Sequence, residues 1–83
     1  MEFFDVVVYP NPTHDFVNIH INKIPWTETT IKVLNQIGQV VIMKTIDSQN
    51  EMINLSGYAS GLYLILITEN NSNYCKQFII NKQ

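Results

Sequence analysis

The sequence predicts an all-β chain folded as an antiparallel β-sandwich of about seven strands, and three observations predict it. β-branched residues crowd the apolar runs, as in Val6, Val7, Val8, Ile19, Ile21, Ile31, Val33, Val40, Val41 and Ile42. Apolar and polar residues alternate in short stretches bounded by turn formers, and no window carries apolar residues at the i, i+3, i+4 spacing of a helix. Branched side chains lose χ1 freedom in a helix and pack well on a pleated surface.

The strands are expected in order at Asp5–Tyr9, Phe16–Asn22, Thr30–Asn35, Gln39–Ile46, Met52–Leu55, Leu62–Thr68 and Tyr74–Asn81. Their short, regular spacing is that of a sandwich. In the second, Val17, Ile19 and Ile21 share one face, with Asn18, His20 and Asn22 on the other. In the third, Ile31 and Val33 oppose Lys32. Both are half-buried antiparallel strands with one face on the core. The sixth is apolar on both faces, with Tyr63, Ile65 and Ile67 on one and Leu62, Leu64 and Leu66 on the other. Two readings stand for it. It is a central strand whose outer face is covered, or Leu64 and Leu66 form an exposed strip that docks a partner or supports weak self-association.

The connections have their own chemistry. Pro10 and Pro12 fix φ and withdraw two donors, so the first strand ends at Tyr9 and the chain turns through Thr13, His14 and Asp15. Gly38 lies in a tight connection and Gly61 at a strand entrance, where positive φ is expected. Asn70-Asn71-Ser72-Asn73 is a polar hairpin loop.

Composition bounds the rest. With 83 residues the chain is one domain, expected over 4–83, residues 1–3 being a short extension foreign to it. A domain this small buries roughly 60–65% of its unfolded surface, so its stability margin is thin. The formal charge is −2 with five lysines and no arginine, which argues against nucleic acid and against a polybasic membrane patch. Cys75 is the single cysteine, so no intrachain disulfide forms. Met1–Asp5 lacks the positive and cleavage regions of a signal peptide, and a fragment of a longer precursor is expected.

No catalytic or cofactor constellation is read from the chain. His14 sits in a turn and His20 on a polar strand face, while Asp5, Asp15, Glu28, Asp47, Glu51 and Glu69 are scattered. Trp26 is the one candidate sugar platform, and a lone loop tryptophan more often lids a small core. An enzyme, a cofactor and a metal are therefore not expected.

Four motifs occur in a fixed order. They are Tyr9-Pro10-Asn11-Pro12, then Val33 to Val41 around Gly38, then Ile53 to Tyr63 with Leu55 and Gly61, then Lys76 to Lys82. In this order and spacing they resemble the type A C-terminal sorting domain of proteins exported by the type IX secretion system of Bacteroidetes. The resemblance implies an immunoglobulin-like sandwich and a non-catalytic sorting function. It also implies a fused upstream cargo, an outer-membrane translocon with its shuttle, and a gingipain-like sortase. The destination is the cell surface or the medium, by way of the periplasm and outer membrane. Tyr9, Pro10, Asn11, Pro12, Gly38, Leu55, Gly61 and Tyr63 stand at the family's signature positions. Asn35 replaces the commoner Asp, and Gln39 replaces a commonly basic residue. A stand-alone carbohydrate-binding or adhesive sandwich is the alternative.

A folded address is read as a surface, and a sheet edge is one such surface. The terminal strand is the expected docking element for translocon or sortase, through Lys76, Phe78, Ile80 and Lys82.

Overall fold

The computed structural model describes residues 3–24, 26–70 and 74–83. Seven strands form, β1 (Phe3–Tyr9), β2 (Phe16–Ile24), β3 (Thr29–Leu34), β4 (Val40–Ile46), β5 (Asn50–Asn54), β6 (Gly61–Glu69) and β7 (Cys75–Lys82), with no helix among the described residues. They build two antiparallel sheets, one ordered β1-β2-β5 and the other β4-β3-β6-β7. This is the expected sandwich. Phe3, set outside the domain by the sequence reading, is the first residue of β1 and pairs with Ile24. Of the expected Asn70–Asn73 loop, residues 71–73 lie outside the described residues.

Alternation places the core. Val6 from β1, with Val17, Ile19, Ile21, Ile31, Val33, Ile53, Tyr63, Ile65, Ile67 and Ile80, points between the sheets. Leu55 just after β5 and Ile46 at the end of β4 close the layer. Register shifts between Val33 and Leu34, where Val33 faces Ile42 and Leu34 faces Val40. The extra residue of this bulge, Val41, packs against the core.

Gly38 has φ of 85° and Gly61 of 148°. Both lie in the region that a Cβ disfavours, as expected for the two glycines. The Tyr9–Pro10 and Asn11–Pro12 peptide bonds are cis.

Candidate functional site

Parts of all four motifs, distant in sequence, meet at one end of the sandwich. The Asn11 side chain lies along the edge of β7, donating from Nδ2 to the Ile79 carbonyl at 2.9 Å and accepting at Oδ1 from Asn81 N–H at 3.0 Å. Thr13 continues this contact. Its N–H donates to the Asn81 carbonyl and its carbonyl accepts from Gln83 N–H, a parallel bridge to Lys82. The Thr13 hydroxyl turns inward and donates to the Phe16 carbonyl at 2.5 Å, so Thr13 is buried. Asn11 to Thr13 thus form a clip on the end of the last strand.

The other motifs abut this clip. Gly61 pairs with Lys82, and a Cβ at Gly61 would lie 3.5 Å from the Gln36 side chain of the β3–β4 hairpin. Leu55 N–H donates to the Asp15 carbonyl, and the Leu55 side chain is wholly buried. Tyr63 O–H donates to the Ala59 carbonyl four residues upstream at 2.6 Å, and its ring meets Tyr58 edge-on at 6.4 Å. Tyr58 O–H in turn donates to the carbonyl of bulged Val41. Tyr9 is half-exposed on the outer face of the three-stranded sheet.

The hairpin explains the two departures from the family pattern. Asn35 Oδ1 accepts from both Ile37 N–H and Gln39 N–H, so the side chain caps the turn as an Asp would. Asn35 Nδ2 donates to Gln39 Oε1 at 3.1 Å. A neutral amide pair stands where the commoner residues would place opposite charges.

The docking side chains expected on the terminal strand share one phase, and that phase points inward. Ile80 is 1% exposed and Lys82 8% exposed. Phe78 packs against the core, and Lys76 Nζ lies 5.7 Å from the Phe4 ring centroid. The outward phase carries Cys75, Gln77, Ile79 and Asn81, all exposed. The expectation is corrected to this extent: the side chains of Ile80 and Lys82 are not offered to a partner, because strand alternation turns them into the sandwich. What β7 presents is its edge and its other face.

The family described as the secretion system C-terminal sorting domain matches residues 7–81. The chain belongs to this family. As a sorting domain of the type IX system it directs the protein that carries it across the outer membrane to the surface or the medium. The chain is similar to an ulvan lyase of Nonlabens ulvanivorans, 35% identical over 78 residues, covering 92% of this chain and 14% of that protein. It is also similar to a beta-agarase A of Zobellia galactanivorans, 40% identical over 60 residues, 70% of this chain and 11% of that protein. An endo-acting ulvan lyase of Formosa agariphila is 30% identical over 78 residues, 92% of this chain and 15% of that protein. The chain therefore spans only 11 to 15% of the length of these curated relatives.

The outer face of the sorting domain's four-stranded sheet is apolar along one row. Val40, Leu34, Leu64 and Ile79 stand opposite one another across β4, β3, β6 and β7. Leu64 and Leu66 are half-buried, while Leu62 and Ile79 are more open, so no loop covers this strip among the described residues. A groove of about 370 Å³ runs along it, lined by Leu34, Gln36, Leu62, Leu64 and Ile79 among others.

The remaining residues singled out in the sequence are dispersed. His14 is exposed in the clip loop, and His20 Nδ1 lies 2.7 Å from Asn50 Oδ1 on the outer face of the other sheet. Trp26 packs against the core, as a lid does, with its indole N–H buried and without a partner among the described residues. Cys75 is free and exposed. Among the described residues no three His, Cys, Asp or Glu side chains gather to hold a metal ion, and no helix is long and apolar enough to cross a membrane.

At the end opposite the clip lies a cluster that the sequence reading missed. Lys23 is buried and paired to Glu69, with Thr27 bridging them: Lys23 Nζ donates to Thr27 Oγ1, and Thr27 Oγ1 donates to Glu69 Oε1. Two ammonium groups lie over the Phe4 ring, Lys23 at 5.5 Å and Lys76 at 5.7 Å from its centroid, and the ring meets Tyr74 edge-on. A signal was available. Lys23 is in phase with Val17, Ile19 and Ile21, so continuing the alternation two residues further would have placed it inside.

Proposed function

We propose that this sorting domain is a non-catalytic address read through β7 by the type IX outer-membrane translocon and its shuttle, and cut from its cargo by a gingipain-like sortase. The position of β7 carries the reading. It is the outermost strand of the larger sheet, so one line of its backbone groups faces away from the fold. An edge of this kind gives a receptor main-chain hydrogen bonds, whatever the cargo upstream. Lys76 and Phe78, both partly exposed, flank that edge, while Ile80 and Lys82 anchor the strand. The three relatives are by name lyases of ulvan or an agarase. They support a cargo that acts on polysaccharides.

The test fuses residues 3–83 to the C-terminus of a periplasm-directed reporter. The reporter is expected outside a type IX-competent host and inside one lacking the translocon. Deleting Lys76–Gln83 is expected to hold it in the periplasm. Retention of the intact fusion in the competent host would refute the reading, and export of the deletion would refute the role of β7.

A further inference from the structure

The backbone groups of an edge strand alternate between its neighbour and open space. In β7 the outward phase comprises Cys75, Gln77, Ile79 and Asn81, since the clip bonds the Ile79 carbonyl and both groups of Asn81. The clip stops there. Among the described residues nothing bonds the outward groups of Cys75 and Gln77 or the N–H of Ile79, and β6 is the one strand paired with β7.

Resting on the sorting function above, we propose that the open edge from Cys75 to Ile79 is the docking surface. It takes one extended, apolar segment of a partner protein, added parallel to β7 and ending against Asn11. Three observations lead there. First, the edge already accepts a chain in this sense, because the Thr13 to Lys82 bridge is parallel. A partner strand would continue the line of the clip. Second, side chains of an added strand on the outer face come to lie beside Ile79, which is 65% exposed, and so reach the groove shared by Leu34, Leu62 and Leu64. The groove lining is free of charge, which selects an apolar occupant over an acidic or basic one. Third, two copies related by a two-fold axis would pair β7 with β7 antiparallel, against the sense of the clip. A segment of a different protein is free to follow the parallel sense of the clip.

The test uses the same reporter fusion together with the purified domain. Gln77→Pro removes one outward N–H that the sheet does not use, a substitution edge strands tolerate. The purified variant is expected to melt within a few degrees of wild type, while export falls at least about tenfold. Gln77→Ala keeps the backbone donor and is expected to export well above Gln77→Pro, which separates the loss of the N–H from the loss of the side chain. Ile79→Lys alters only an exposed side chain, and is expected to fold normally with export reduced several-fold. It decides the matter if Gln77→Pro fails to fold. Wild-type export from folded Gln77→Pro and from Ile79→Lys would overturn the proposal. So would a wild-type dimer in sedimentation that Gln77→Pro dissociates, since the occupant would then be a second copy. Failure of the unaltered fusion to leave the competent host would refute the sorting reading instead.

Discussion

Lys23 Nζ and Glu69 Oε1 lie 3.3 Å apart at the end of the sandwich away from the clip, with the lysine side chain 2% and the glutamate 16% exposed. The pair joins β2 of one sheet to β6 of the other. An ammonium this far from water is tolerable only with its carboxylate, the Thr27 oxygens and the Phe4 ring around it. The prediction is asymmetric. Lys23→Ala removes the buried ammonium from the Thr27–Glu69 cluster and opens a gap, at about 3 kcal/mol, so the melting temperature should drop by roughly 10–20 °C in a domain of this size. The double change Lys23→Met with Glu69→Leu should recover most of that loss. A double change as damaging as Lys23→Ala alone would show that the ion pair itself stabilises the fold.

Gly38 and Gly61 both have positive φ but should answer differently to replacement. Valine at either should cost about 1–2 kcal/mol, because its Cβ meets the following carbonyl oxygen. At Gly38 a Cβ has open space, and φ of 85° is near the left-handed well that Asn adopts. Gly38→Asn should therefore melt close to wild type. Gly61, at 148°, lies far from that well, so Gly61→Asn should lose as much as Gly61→Val. Equal behaviour of the two asparagine variants in thermal melts would contradict this.

Asn11 holds β7 with one donor and one acceptor. Asn11→Ala should cost about 1 kcal/mol, the bonds being exposed. Asn11→Asp keeps the acceptor for Asn81 N–H yet turns an oxygen toward the Ile79 carbonyl, and should melt no higher than the alanine variant. Amide exchange should rise at Asn81 and Gln83 and remain low at Ile65. A uniform rise along the chain would mean that Asn11 stabilises the whole sandwich rather than its last strand.

The apolar row on the larger sheet should make the isolated domain associate weakly at high concentration, since exposed strips of this kind favour contact with one another. Leu64→Lys and Leu66→Lys place a charge in the strip without touching the inner core. Light scattering should show a rising apparent mass for wild type and a constant one for both variants. A strictly monomeric wild type would dispose of the idea.

The strands, their faces and the places where glycine is needed are legible in the sequence, because all of these are local. A period of two reads out which of Val17, Asn18 and Ile19 are buried, and the observed strands differ from expectation by at most two residues at their ends. The order and spacing of the four motifs also carried the family. How those motifs assemble rests on contacts between distant segments. Asn11 bonds residues 68 and 70 positions away, and nothing local distinguishes an asparagine that clips a strand from one that merely turns. The inward phase of β7 was equally hidden. Phe78 and Ile80 alternate with an apolar Ile79, so periodicity allowed either face, and pairing with β6 chose one. Lys82 shows the same limit, and for Lys23 the alternation gives its side of the strand but not the carboxylate and ring that meet it. A lysine at the end of a strand reads as solvated until the fold places a carboxylate, a ring or another strand over its stem, because burial depends on which distant segments arrive there.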